Sequence, residues 1–172
     1  MSELDEAWES ALAEAEARAR LSGRGDLVEY LALRNSNDLV RRTGIEWLVN
    51  TCEMIAAHAN RNGASIQIAK DEKHRFRVGN ATMVGRLLTL NSGVRKLSIE
   101  AGWPRTPRDG IVQGAGLARG NLRHFGIKRA SEALLLVVSP QGKPSWIIPD
   151  EDGRAIAVHE AQLREHINLL RS

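Results

Sequence analysis

The sequence predicts an α+β fold in which N-terminal helices and a C-terminal helix pack on a mainly antiparallel sheet of six or seven strands. Three observations carry this. Apolar residues recur every three or four positions up to about residue 62, the interval shortens to two from Ala64 onward, and the segments with the shorter period are joined by short turns. Strands joined in this way pair antiparallel, because a parallel pair needs a crossover of about a dozen residues or more.

Leu4, Trp8, Leu12, Ala15 and Ala19 make a narrow apolar stripe in a stretch of good helix formers, and Ser22-Gly23 ends it. Asp26 and Glu29 have the spacing of a capping box, which places a second helix over 27–33 with Leu27, Tyr30 and Leu31 buried. A third begins near Asn37 and stops at Asn62-Gly63, with Val40, Gly44, Trp47, Leu48, Thr51, Met54, Ile55 and His58 on one face. Thr43-Gly44-Ile45-Glu46 resembles another capping box and marks a point where this helix can break.

From Ala64 the period is that of strands. Ile66 and Ile68 alternate with polar residues, Asp71-Glu72 reads as a turn, and His74, Phe76 and Val78 resume the alternation. Strands over 82–90 and 94–101 flank the turn Asn91-Ser92-Gly93, with Leu97, Ile99 and Ala101 on one side. A hairpin of 134–139 and 145–148 closes on Pro140-Gln141-Gly142-Lys143. Asp152-Gly153 then turns the chain into 154–158, and a helix over 160–170 lays down Leu163, Ile167 and Leu170. The segment 102–130, rich in Gly and Arg, reads as a long connection, which in a compact domain is functional, partly helical or disordered.

The chain of 172 residues suits one domain, divided into a helical segment at 1–62, a β-rich segment at 63–158 and a C-terminal helix at 159–172. Its acidic start lacks the basic residues and apolar stretch of a secretory signal, so the expected compartment is the cytoplasm. The longest aliphatic run, 133–138, is far below the ~20 residues of a membrane-spanning helix. A single cysteine, Cys52, excludes an internal disulfide and a cysteine-rich zinc site. No metal and no cofactor are expected.

Charge is distributed unevenly. Residues 1–59 carry 6 Lys/Arg against 11 Asp/Glu, residues 60–129 carry 14 against 4, and residues 130–172 carry 4 against 6. The net charge of +3 thus hides a middle segment of +10. Arg95, Lys96, Arg105, Arg108, Arg119, Arg123, Lys128 and Arg129 crowd together there against only Glu100 and Asp109. Such a surface attracts polyanions through counterion release, and Trp103 beside Pro104-Arg105 adds an aromatic face for a base. In the plain alternative, acidic helices lie over a basic sheet and neutralise it, within the domain or across a dimer.

Other patterns point to chemistry less directly. Gly110, Gly114, Gly116 and Gly120 are candidates for a phosphate-cradling loop, but their spacing matches neither the dinucleotide fingerprint nor the P-loop. Arg119 and His124 stand in an Arg-x4-His spacing that resembles the short signature of the HEPN ribonucleases. That family is all-helical, whereas this segment lies between strands. His159 and His166 are seven apart on the last helix without a third ligand, and the default for both is a solvent-exposed or helix-end histidine. Cys52 and His58 point roughly opposite ways on a helix.

No motif identifies a reaction. The leading reading is a non-enzymatic binding module for an anionic partner, nucleic acid or an acidic protein, docked through Arg95, Lys96, Trp103, Arg105, Arg108, Arg119, Arg123, Lys128 and Arg129. A second is a homo-oligomeric adaptor in which acidic helices of one copy face the basic sheet of another. A third is an enzyme on a phosphorylated small molecule, with the arginines as clamps and His124 as proton carrier.

Overall fold

The computed structural model describes residues 2–21 and 25–171, and their side chains except those of 19–20 and 25–35. Two helices, α1 (Glu3–Leu21) and α2 (Gly25–Arg61), precede seven strands. The strands are β1 (Gln67–Val78), β2 (Ala81–Ser92), β3 (Arg95–Trp103), β4 (Ala118–His124), β5 (Glu132–Val138), β6 (Pro144–Pro149) and β7 (Ala155–Ala157), and α3 (Glu160–Asn168) follows. They form one antiparallel sheet in sequential order, β1 to β7, as the short turns require. Among the described residues no helix is long and apolar enough to cross a membrane.

The helices cover one face of the sheet, here called the inner face. Leu88 and Leu90 of β2, Leu97, Ile99 and Ala101 of β3, Leu122 of β4, Leu134 and Leu136 of β5 and Trp146 of β6 alternate inward and are almost fully buried. Val40, Ile45, Leu48, Cys52, Ile55 and Ala56 of α2 meet them, with Leu4 and Trp8 of α1 and Leu163 and Ile167 of α3. The thiol of Cys52, 1% exposed, is pushed up to about 12 by burial.

Several expectations need correction. The helices expected over 27–33 and from Asn37 are one 37-residue helix, α2. Asn35, Ser36 and Asn37 imitate a cap, but each costs a helix interior only about 0.7 kcal/mol, too little to break a helix held by tertiary packing. No break occurs at Gly44 either. The Ser22-Gly23 stop, the Asp26 cap and the burial of Leu27, Tyr30 and Leu31 lie outside the described residues and side chains. Of the face expected on α2, Val40, Gly44, Trp47, Leu48, Thr51 and Ile55 are buried, whereas Met54 is 54% exposed and His58 is exposed, and Ile45, Val49 and Cys52 are buried as well.

In the sheet, Asp71-Glu72 is not a turn but lies inside β1, where Glu72 and Lys73 form a bulge. The register runs from Asp71↔Leu87 to His74↔Gly85, so two residues of β1 oppose Arg86 alone, and Arg86 Nε pairs with Glu72 Oε2 at 2.7 Å. The hairpin turns instead at Gly79-Asn80, where Gly79 has φ +59. The segment 102–130 is also not one long connection, because β3 runs on to Trp103 and β4 occupies its second half.

Candidate functional site

β4 divides the basic middle between the two faces of the sheet. Ala118, Gly120, Leu122 and His124 face inward and are buried, while Arg119, Asn121 and Arg123 face outward. β3 alternates in register with it, so that Ser98 lies beside Arg123, and Glu100 beside Asn121, on the outer face.

The strands also separate the cations lengthwise. Arg95 and Lys96 begin β3 and Trp103 ends it, eight residues along, or roughly 26 Å at the rise of a strand. Arg95, Lys96, Arg123, Lys128 and Arg129 gather at the first end; Trp103, Arg105, Arg108 and Arg119 belong to the other. The nine residues therefore do not form one surface.

At the first end, Phe125 donates its backbone N–H to the Lys96 carbonyl oxygen at 2.9 Å, after which the chain turns at Gly126 and winds through a short 3-10 turn at Lys128–Ala130. The result is an open groove of about 830 Å³ lined by Lys96, Ser98, Arg123, His124, Phe125, Gly126, Lys128 and Ser131. Phe125 is 74% exposed. Arg123 is held by Glu100, its Nη2 lying 3.1 Å from Oε1. Among the described residues neither Lys96 nor Lys128 has an acidic partner, and Arg95, Arg108 and Arg129 have none either. One ion pair, Lys70 with Glu53 of α2, joins the N-terminal helices to the basic middle among the described residues.

Behind the groove lies a buried carboxylate. Glu100 is 4% exposed on the outer face, where its Oε1 accepts from Asn121 Nδ2 at 2.9 Å and forms the ion pair with Arg123, and its Oε2 pairs with His74 Nε2 at 2.7 Å. Buried charge is tolerated only when paired and hydrogen-bonded, and both oxygens here are satisfied. His74 in turn stacks on Phe76, with ring centroids 5.6 Å apart.

His124 points the other way. On the inner face its Nε2 lies 2.8 Å from Nδ1 of His166 on α3, and His166 Nε2 lies 2.9 Å from Glu132 Oε2. A carboxylate can only accept, so His166 donates from Nε2; when His166 is neutral its Nδ1 accepts, and His124 Nε2 must donate. Burial, then the neighbouring His166, lower the pKa of His124. His166 is thus buried and partnered, contrary to its sequence reading, while His159 caps α3 by donating its N–H to Gln162 Oε1 at 2.8 Å. The five-residue step from Arg119 to His124 puts the two side chains on opposite faces of a strand, so the Arg-x4-His spacing brings nothing together.

At the other end Trp103 is 8% exposed in the core, and the Arg105 guanidinium lies 3.4 Å from the centroid of its ring while hydrogen-bonding the Val84 carbonyl oxygen at 3.1 Å. That leaves no face of Trp103 for a base. Gly110 and Gly114 have positive φ in the β3–β4 connection, whereas Gly116 packs on Leu135 and Gly120 lies inside β4, so the four glycines form no single loop. Among the described residues no three His, Cys, Asp or Glu side chains are arranged to hold a metal ion. Sequence reasoning missed Phe125, Ser98, Ser131, and the partners of Glu100 and His166. The two-residue period of 119–123 was the available signal for the outer-face cations.

Compared with protein-family models, curated proteins and solved structures, the chain matches none.

Proposed function

We propose that the protein is a non-enzymatic binding module for single-stranded nucleic acid, held in the groove between the start of β3 and the β4–β5 connection. One observation carries this reading: Lys96, Arg123 and Lys128, up to 32 residues apart in sequence, converge on one groove whose rim carries a 74% exposed phenylalanine. Lys96 and Lys128, which have no acidic partner among the described residues, and Arg123, which shares its charge with Glu100, bind a phosphate backbone by releasing its counterions, and a base stacked on an exposed ring adds about 1–3 kcal/mol without regard to sequence. Phe125 takes the role that the sequence pointed to in Trp103.

Against the enzyme reading, the His124 ring is engaged by His166 on the inner face, whereas Arg123 projects from the outer face of β4. Fluorescence anisotropy with labelled oligouridylate and oligothymidylate of about ten nucleotides tests the proposal. Binding at ~50 mM salt that weakens about tenfold or more by ~200 mM supports it. Replacement of Phe125 by Ala should weaken binding by about 1–3 kcal/mol. Absence of binding at low salt, together with a dimer that salt dissociates, would favour the adaptor reading instead.

A further inference from the structure

A second cavity lies at the opposite end of the strands, on the outer face. The register places Gly85, Gly102, Arg119 and Leu135 side by side across four strands. The two glycines present no side chain, and β2 and β3 approach so closely that a Cβ on Gly102 would lie 2.6 Å from the Val84 carbonyl oxygen. Arg119 therefore borders a bare stretch of backbone. Beyond it, the β1–β2 turn and the β3–β4 connection enclose a cavity of about 290 Å³, bordered by Val78, Asn80, Met83, Ile111, Gln113 and Arg119. Gly110 closes against Ala81, where any side chain would meet the Ala81 Cβ at 3.0 Å.

The chemistry of this lining is specific. Arg119 is its single charged side chain, and no acidic residue borders the cavity. Its side chain is half-buried, and its Nε is buried with no hydrogen-bond partner among the described residues, although buried donors are ordinarily paired. Val78, Ala81 and Met83 make the wall apolar, and Ile111, 76% exposed, stands at the rim. One fixed positive charge with apolar walls, at the lower limit of ligand-cavity size, matches a small molecule with one negative charge and an apolar body. A planar carboxylate fits the guanidinium fork, which donates two parallel hydrogen bonds to its oxygens.

We infer that the Arg119 cavity binds a small organic monocarboxylate, its carboxylate on the guanidinium and its apolar part against Val78, Met83 and Ile111. This site is independent of the nucleic-acid groove, from which the length of β3 separates it.

The test is a titration of the ¹⁵N-labelled full chain with benzoate and with hexanoate, using benzamide as the uncharged control, followed by NMR through the Arg119 Nε–Hε signal and the amides of Gly79 and Gly110. Both acids should shift these signals at concentrations up to ~10 mM while benzamide leaves them in place, and the Arg119→Gln variant should bind at least about tenfold more weakly. Charge reversal of Lys96, Arg123 and Lys128 should leave the shifts unchanged. Unmoved Arg119 and Gly110 signals at ~10 mM acid, equal shifts with benzamide, or undiminished binding by a folded Arg119→Gln protein would each overturn the inference. Should that variant fail to fold, the Nε–Hε signal of the unaltered protein decides the matter.

Discussion

Trp146 donates its indole N–H to the main-chain carbonyl oxygen of Gly44 at 2.8 Å, joining the middle of α2 to β6 across 102 residues of sequence. Glycine also fits the packing beside this contact, because a Cβ at position 44 would lie 2.9 Å from the methyl carbons of Leu136, which is buried in β5. Glycine weakens a helix interior by about 1 kcal/mol relative to alanine, and the close approach offsets this. Gly44→Ala is therefore expected to destabilise the protein by about 1–2 kcal/mol despite the better helix former. In a Leu136→Ala background the collision is gone, and the same change should become neutral or stabilising. Urea unfolding of the four proteins in the cycle checks the coupling; additive effects would refute it.

Glu100 restrains one cation of the groove. Glu100→Gln keeps a hydrogen-bonding side chain beside His74 and Asn121 but removes the negative charge that holds Arg123. Stability should fall by about 1–3 kcal/mol. Oligonucleotide affinity should rise a few-fold, because Arg123 no longer divides its charge between Glu100 and a backbone phosphate. Glu100→Ala should be worse for stability than Glu100→Gln, because it leaves the half-buried Asn121 and His74 without their shared acceptor. Thermal melts and anisotropy on the same preparations separate the two effects.

His124 gives stability a pH dependence of defined sign. Its folded pKa lies below the ordinary histidine value of 6.5, so the unfolded chain binds the proton more readily than the native one. The stability that neutral His124 contributes is complete above pH 6.5 and is lost as pH falls from there through the lowered folded value. The melting temperature of the unaltered protein, minus that of His124→Gln, should be level above pH 6.5 and should decline below it. A difference that stays constant down to about pH 5 would contradict this account.

Cys52 should be chemically silent in the native protein. Its thiol is 1% exposed, and burial holds its pKa near 12, so almost no thiolate exists at neutral pH. Reaction with a thiol-specific disulfide reagent is expected only as the chain opens, with its yield following the urea transition.

How much of this was legible in the sequence depended on local contrast. The change of period near Ala64 and the short turns gave the helices, the antiparallel order and the inward set Leu97, Ile99 and Ala101. β4 escaped because its inward positions include Ala118 and Gly120, too small for their alternation with Arg119 and Asn121 to register as apolar. Asp71-Glu72 read as a turn because a bulge and a turn favour the same polar residues. Charge density pointed to the basic middle but could not show that a strand length separates Lys96 from Trp103, or that Trp103 is buried. His124, His166 and Glu132 are 42 and 34 residues apart along their hydrogen-bonded chain, and no spacing pattern reaches that far.

The most direct test of the central claim is the salt dependence of oligouridylate affinity, measured for the unaltered protein and for the Lys96→Glu, Arg123→Glu, Lys128→Glu variant. Three phosphate contacts on a single strand give a slope of log K against log salt of about −2, since each contributes about −0.7. The account expects that slope or a steeper one for the unaltered protein, and a flat, weak response in the variant. A folded variant that keeps both the affinity and the slope would show that nucleic acid, if bound at all, does not lie in this groove.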